Sequence, residues 1–298
     1  MKETLLLLCA LFVFAGCEKP VIEGEDQGNK TDIVSKGEFR LTFNAMQVEQ
    51  TPFYAPSKND GATQNLTEAC SLISFVVFDG DKKVSSTHQT SSEKSFGSVS
   101  VNLDKGTYTL VIIAHNGLAN PTFTSPSKIS FKDNKVTDTF YYCQQFVVDE
   151  PKNYDIVLSR AVAMFNLAIT DTTPSDVKLM KFYYTGGSST FNALEGRGCV
   201  DSRQTEFREV PASAYSGESS YELFTFPHND GRTLKMDVTA LDSSGKEVLY
   251  HQIFEDVPVT VNKVTHYTGC FFGGADAGGH TNVSVKVTNS WLHENYSY

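Results

Sequence analysis

Residues 72–79 read Leu-Ile-Ser-Phe-Val-Val-Phe-Asp. An apolar run of this length, with β-branched and aromatic side chains, is typical of a strand that is covered on both faces. The Asp-Gly-Asp sequence at positions 79–81 then marks a turn. The stretch therefore predicts a buried β-strand.

The same kind of pattern continues on both sides of this run. Upstream, Phe39, Leu41 and Phe43 alternate with polar residues, as expected for a half-buried strand. Downstream, residues 99–103 alternate up to the turn sequence Asp-Lys-Gly at 104–106, and residues 107–113 follow as a second apolar run. We interpret residues 99–113 as a hairpin in which Gly106 supplies a positive φ.

The second half of the chain also consists of short apolar segments separated by Gly and Ser clusters. We expect strands at residues 156–160, 164–169, 177–184, 234–241, 248–254, 257–261 and 283–287. Sustained 3.6-residue periodicity is absent from the sequence. Many short strands with regular turns predict an all-β fold built from β-sandwiches.

A polar break and a faint internal repeat divide the chain in two. Residues 149–153 read Asp-Glu-Pro-Lys-Asn, and the sequence Asn-Lys-Val-Thr occurs both at 134–137 and at 262–265. We therefore predict an N-terminal sandwich over residues 38–153 and a C-terminal sandwich over residues 154–298.

The N-terminus carries an export signal. Residues 5–16 form one apolar stretch behind Lys2, too short for the roughly 20 residues that span a bilayer, so we predict a signal peptide over residues 1–16. Ala15 and Gly16 directly before Cys17 resemble a bacterial lipobox, which implies that Cys17 is lipidated and becomes the mature N-terminus. In the alternative, an ordinary signal peptide, Cys17 is a plain thiol. Residues 17–37 are acidic and predict a flexible tether.

Composition narrows the range of partners. The 298-residue chain has a formal net charge of −10 and no basic stripe, and this charge repels phosphate backbones, so it argues against nucleic acid as a partner. The hydrophobic fraction of 40% is enough to build real cores. Any membrane attachment must come from the lipid.

Four cysteines lie beyond Cys17, at positions 70, 143, 199 and 270. In an oxidising compartment they allow three disulfide connectivities, and as free thiols they would act as small hydrophobes. The sequence leaves both interpretations open.

Catalytic motifs are absent from the sequence. It contains no G-x-S-x-G elbow, no P-loop, no H-E-x-x-H and no G-x-G-x-x-G after a strand. His251 and His266 would meet across a hairpin, but ordinary strand positions are the favoured interpretation over a metal site. We predict no enzymatic activity, no cofactor and no metal.

Four segments carry a family resemblance. Residues 72–79, the predicted hairpin at 103–111 and the Ala-His-Asn-Gly sequence at 114–117 resemble the first domain of the fimbrillin-associated anchor lipoproteins of Bacteroidales type V pili. The Leu-Ser-Arg-Ala-Val-Ala sequence at 158–163 resembles that family's entry into its second domain.

This resemblance implies two tandem transthyretin-like Greek-key β-sandwiches and a lipid anchor in the outer membrane with the protein exposed at the cell surface. It also implies assembly with other fimbrial subunits by strand exchange, in which a donor strand fills a groove of its neighbour. Two segments have the side-chain alternation that a donor or acceptor strand needs. The apolar residues of the first are Phe39, Leu41 and Phe43, and those of the second are Val283, Val285 and Val287. In the other interpretation, both are ordinary strands of their own domains.

The leading hypothesis is a lipid-anchored anchor or accessory subunit of a pilus. Related stalk subunits are cut after an arginine that follows their first strand, and residues 49–66 of this chain contain no arginine. A surface glycan-binding lipoprotein is the alternative, since 13 tyrosines could supply aromatic platforms. A tip adhesin of the same pilus system, which binds a host or bacterial surface ligand, is a further alternative, and a hydrolase ranks third.

Overall fold

The computed structural model describes residues 32–49 and 63–273, together with the strand backbone of residues 283–288 and 293–296. These residues form 21 strands and one four-residue α-helix, so the all-β prediction is confirmed. The predicted signal peptide, Cys17 and residues 18–31 of the predicted tether lie outside the described residues.

The first half of the chain contains ten strands. They are β1 (Phe39–Glu49), β2 (Thr63–Asn65), β3 (Leu72–Asp79), β4 (Lys82–Thr90), β5 (Ser98–Leu103), β6 (Gly106–His115), β7 (Thr122–Ser125), β8 (Lys128–Ser130), β9 (Thr139–Val148) and β10 (Lys152–Arg160), with helix α1 (Leu66–Ala69) after β2 and a 3-10 turn at Lys132–Asn134.

The second half contains eleven strands. They are β11 (Ala163–Ile169), β12 (Leu179–Thr185), β13 (Thr190–Asn192), β14 (Arg197–Gly198), β15 (Arg203–Glu209), β16 (Ser219–Thr225), β17 (Leu234–Leu241), β18 (Val248–Val257), β19 (Val264–Gly269), β20 (Val283–Thr288) and β21 (His293–Tyr296), with a 3-10 turn at Ala212–Tyr215.

The first sandwich encloses a core between two layers. One layer is β4-β3-β6-β9, and the other contains β5, β1 and β10. Leu41 and Phe43 from β1 pack in the same cluster as Phe75 from β3 and Ile112 from β6. Strand β10 connects the layers, because its first part pairs with β1 and its last two residues pair with β9.

The predicted hairpin at residues 99–113 is wrong, although both of its strands exist. Strand β5 pairs with β1, and β6 pairs with β3 and β9. The chain crosses from one layer to the other at residues 104–105, since this lets Val101 and Leu103 bury their side chains in the first core. Gly106 is also absent from the glycines with positive φ.

The second sandwich has the same two-layer form. Its layers are β16-β11-β19-β20-β21 and β15-β12-β17-β18. Phe165 from β11, Phe182 from β12 and Met236 from β17 meet in its core. The predicted strand at residues 257–261 is wrong, because β18 ends at Val257 and residues 258–260 do not belong to a strand.

A third cluster links the two halves. Strand β3 is buried on both faces, as its sequence predicted: Phe75 faces the first core, whereas Val76 and Phe78 pack with Phe191 and Phe226 from the second half. A small sheet of order β14-β13-β8-β7 supports this cluster, and its β8–β13 pair joins one strand from each half.

The Asn-Lys-Val-Thr repeat has a common backbone feature. Asn134 has φ of 55° and Asn262 has φ of 59°, and asparagine tolerates this left-handed region better than most residues. Each sandwich also contains one parallel pair, β1 with β10 and β11 with β19.

The domain division at 153/154 stays a prediction. Ile156 and Leu158 in β10 pack in the first core.

Candidate functional site

Strand β1 holds one of the two predicted exchange segments. In the structure it pairs with β5 on one side and with β10 on the other. Leu41 and Phe43 are fully buried, and Phe39 packs at the margin of the same core. Strand β1 is therefore an internal strand of its own sandwich. Its role in strand exchange stays a prediction.

An open side of the first sandwich lies between β9 and β10. These strands pair only at Ser159 with Tyr141 and Arg160 with Phe140. Residues 142–148 of β9 pair on their other side with β6, and residues 152–158 of β10 pair with β1. Within the described residues, each strand thus has one edge with unpaired backbone N–H and C=O groups, and such an edge is a template for another strand.

An aromatic cleft lies on this open side. We call it the β9–β10 cleft, and its lining residues are Phe43, Leu110, Tyr142, Gln144, Phe146, Tyr154 and Ile156.

The rings of the β9–β10 cleft are packed against one another. Phe43 stacks on Tyr154 with ring centroids 5.2 Å apart and meets Phe146 edge-on at 5.5 Å. Tyr154 and Phe146 are in turn 5.9 Å apart, also edge-on. Such pairs contribute about 0.5–1.5 kcal/mol each beyond the area they bury, so the cleft has a rigid floor.

Polar groups lie at the rim of this cleft. The Tyr142 hydroxyl donates to Oε1 of Gln144. Partial burial raises the pKa of Tyr142, and the neighbouring Tyr154 adds to the effect. Lys152 Nζ lies 5.4 Å from the centroid of the Tyr154 ring. The site therefore combines an apolar floor with two backbone edges, the chemistry that an extended peptide segment requires.

The second predicted segment, Val283–Val285–Val287, lies in β20. This strand pairs with β19 on one side and with β21 on the other, with Val285 opposite Tyr267. Strands β20 and β21 thus form a terminal hairpin at the edge of a sheet of the second sandwich. Its use as a donor stays a prediction.

Asp171 holds the chain where it leaves β19 towards this hairpin. Its Oδ1 accepts the N–H of Phe271 at 2.8 Å, and its Oδ2 accepts the N–H groups of Phe272 at 2.7 Å and Gly273 at 2.6 Å. Three backbone donors on one carboxylate fix residues 271–273 firmly. Sequence reasoning gave Asp171 no such role, because the partners lie 100 residues away.

The described end of the predicted tether contacts the first sandwich. Ile33 pairs with Ser86 at the edge of β4 through backbone hydrogen bonds of 3.0 and 3.2 Å. Asp32 accepts the backbone N–H of His88 at 3.2 Å. Residues 32–37 are thus held against the sandwich.

The candidate cysteine and histidine side chains do not come together to form a site. Cys70, Cys143, Cys199 and Cys270 are all free, so the disulfide interpretation is not supported. The predicted meeting of two histidines across a hairpin is wrong, because His251 lies on β18 beside Asp237 and His266 lies on β19 beside Asn166, in different sheets. The described part of the chain holds no group of three or more metal-ligating side chains.

Sequence comparison gives the family to which this two-sandwich chain belongs. The model of the fimbrillin-A associated anchor proteins Mfa1 and Mfa2 matches residues 29–297. The chain belongs to this family, and it is a pilus-associated protein. The family consists of fimbrial structural proteins.

Several solved structures resemble this chain at low identity. A candidate polysaccharide-binding protein from Bacteroides thetaiotaomicron VPI-5482 has a TM-score of 0.53 and 11% identity, with 87% of this chain and 99% of that chain covered. A fimbrial assembly protein from Parabacteroides distasonis ATCC 8503 has a TM-score of 0.43 and 10% identity, covering 87% and 98%.

The tip fimbrial protein Mfa3 from Porphyromonas gingivalis has a TM-score of 0.41 and 10% identity, covering 84% of this chain and 99% of that chain. The search of curated proteins finds no match. Among the described residues, no helix has the length and apolar character needed to cross a membrane.

Proposed function

We propose that the chain is a lipid-anchored subunit of a pilus at the outer membrane, of the anchor or accessory type, which works by docking other subunits and not by catalysis. The observation that carries this proposal is the family match over residues 29–297. The open edges of β9 and β10 support it, since they offer backbone groups to a partner strand.

The membrane contact is proposed to be an acylated Cys17. Each buried acyl CH₂ contributes about 0.8 kcal/mol, so two or three chains hold a protein stably in a bilayer. Mass spectrometry of the membrane-extracted protein tests this step. An acylated peptide that begins at Cys17 is expected, and a mature protein with an unmodified N-terminus contradicts it.

The docking step is proposed to be strand exchange. The β9–β10 cleft is the acceptor we favour, because a strand laid along the edge of β9 would cover Tyr142, Phe146 and Tyr154. The β20–β21 hairpin is the donor we favour. It is the last pair of strands at the edge of its sheet, whereas β1 is internal and contributes Leu41 and Phe43 to the core.

Glycan binding is a second candidate, favoured by the same cleft. The half-buried rings of Tyr142 and Tyr154 lie on either side of Gln144. The cleft thus offers a sugar both an aromatic surface and an amide group for hydrogen bonding. The Bacteroides thetaiotaomicron protein of similar fold is a candidate polysaccharide binder. Retention of the purified protein on immobilised polysaccharides, lost in Tyr154→Ala, would favour this role over strand docking.

Surface-shear fractions test the proposed function in cells. Wild-type cells, cells lacking the protein and cells carrying Cys17→Ser are sheared, and filament protein is measured in the cell-bound and released fractions. We expect the deletion and Cys17→Ser to release most filament protein into the medium. Unchanged retention in the deletion strain contradicts the anchor role.

A further inference from the structure

A second cleft, separate from the β9–β10 cleft, lies along β15 at the junction of the two halves. Residues 133–135 of the first half form one wall, and residues 203–208 of β15 form the other. We call it the β15 cleft.

Strand β15 is an edge strand. It pairs with β12 along its whole length, from Arg203 opposite Thr185 to Glu209 opposite Leu179. Within the described residues no second strand pairs with it. The backbone N–H and C=O groups of alternate residues of β15 therefore point away from β12, which makes this edge able to accept a strand.

The opposite wall is held by side-chain hydrogen bonds. The Asn134 carbonyl accepts the Gln204 side-chain amide at 3.1 Å, and its Oδ1 accepts the Ser189 hydroxyl at 3.4 Å. Asp133 and Asn134 both have φ of 55°, a left-handed conformation that these two residue types adopt readily in turns.

One buried acceptor in the β15 cleft lacks a donor. Gln204 is only 5% exposed, and its Oε1 has no hydrogen-bond partner in the described part of the chain. The neighbouring buried acid is satisfied, because Glu206 accepts the Tyr184 hydroxyl at 2.8 Å and Arg208 at 2.6 Å. Because Gln204 is on the buried face of β15, this acceptor belongs to the covered floor of the cleft and not to the edge that a partner strand would meet.

The charge of the β15 cleft is opposite to that of the whole chain. Lys135 and Arg203 line it, and neither forms an ion pair with another described residue. With Arg208 they make three cations against the two carboxylates of Asp133 and Glu206, in a chain of net charge −10. The cleft therefore favours an acidic occupant.

We propose that the β15 cleft binds an extended acidic peptide segment of a partner protein, which adds to β15 as a further antiparallel or parallel strand. Its backbone would pair with the open edge of β15, and its carboxylates would lie near Lys135 and Arg203. This site goes beyond the proposed exchange at the β9–β10 cleft, uses different residues, and stands whether or not that exchange occurs.

A peptide titration on the purified full chain tests the proposal. The probe is a seven-residue peptide of alternating glutamate and valine, with a fluorescent label. We expect saturable binding, accompanied by slower hydrogen exchange of the amides in residues 203–208. The double variant Lys135→Glu/Arg203→Glu should weaken binding by about tenfold or more, because two exposed charge contacts become repulsive.

Two controls separate this interpretation from general charge attraction. Lys246→Glu changes the charge of the same sandwich at an exposed turn outside the cleft, and it should bind the peptide as the wild type does. A peptide N-methylated at alternate residues keeps its carboxylates but lacks half its donors, and it should bind weakly. Equal binding of the methylated peptide, equal loss in Lys246→Glu, or no change in exchange at residues 203–208 would each overturn the proposal.

Discussion

The guanidinium of Arg160 contacts both carboxylate oxygens of Asp138. Arg160 Nε lies 2.8 Å from Asp138 Oδ1, and its Nη2 lies 3.0 Å from Oδ2. The third nitrogen, Nη1, donates to Asn262 Oδ1 at 2.9 Å. Asp138 directly precedes β9 and Asn262 precedes β19, so one buried side chain at the end of β10 joins a segment of the first sandwich to a segment of the second.

The first prediction concerns this ion pair. Arg160→Met should lower the free energy of unfolding by about 3 kcal/mol, because it leaves the Asp138 carboxylate partly buried without its partner. Urea denaturation followed by fluorescence measures the change. Arg232→Met is the matched control, since Arg232 pairs with Asp230 at an exposed position. It should alter stability little, and an equally large loss there would show that Arg160 has no special role.

The second prediction concerns two glycines with positive φ. Gly186 has φ of +93°, and a Cβ there would lie 2.1 Å from the Thr233 carbonyl oxygen. Gly231 has φ of +72° but open space around it. Gly231→Ala should cost about 1 kcal/mol from the backbone alone, and Gly186→Ala about 3 kcal/mol or more, because it adds a steric clash. Equal losses in thermal denaturation would contradict this.

The third prediction is a loss of stability in acid. Burial lowers the pKa of His115 from 6.5 to about 4, so the unfolded chain binds more protons than the folded chain between these values. The contribution of His115 to stability should therefore fall as the pH drops from about 6.5 to about 4, by up to about 3 kcal/mol, and level off below that range.

His115→Gln isolates this contribution. The variant should show a shallower dependence of unfolding free energy on pH between 6.5 and 4. Burial also lowers the pKa of His88, so a residual slope of the same sign is expected. A slope as steep as that of the wild type would exclude His115 as its source.

The fourth prediction ranks the thiols. Cys199 is the exposed thiol of the four, although partial burial raises its pKa as well. Burial raises the pKa of Cys143 to about 11 and raises that of the buried Cys70 further. Because the thiolate is the reactive form, Cys199 should alkylate first in the folded protein and Cys70 last. Mass spectrometry after timed iodoacetamide labelling measures the order. Cysteines that resist alkylation in denaturant until a reductant is added would instead reveal a disulfide.

The sequence predicted local structure well where side-chain alternation matched burial. Strands β3 and β17 lie where the apolar patterns at residues 72–79 and 234–241 placed them. Strand β15 was not predicted from the sequence. Its inward-facing residues include the polar Gln204 and Glu206, so its sequence shows no apolar alternation. The buried Glu206 is satisfied by the Tyr184 hydroxyl, which only the folded chain brings near.

Strand partners were harder to predict than strands. The turn sequence at residues 104–106 is a good hairpin signal, yet β5 leaves to pair with β1 about 60 residues upstream. The β9–β10 cleft and the β15 cleft arise in the same way, from edges left open by long-range pairing. Local sequence patterns specify which residues face inward, but they carry little information on which edge remains unpaired.

Photocrosslinking in cells tests the docking account most directly. A benzophenone amino acid in place of Tyr154 places the probe inside the β9–β10 cleft, and the same substitution at Tyr183, on the outer face of the second sandwich, serves as control. The account predicts that illumination links a pilus subunit to the Tyr154 variant, through a terminal strand, and not to the Tyr183 variant. Intact pili on cells whose Tyr154 variant yields no pilin adduct would contradict it.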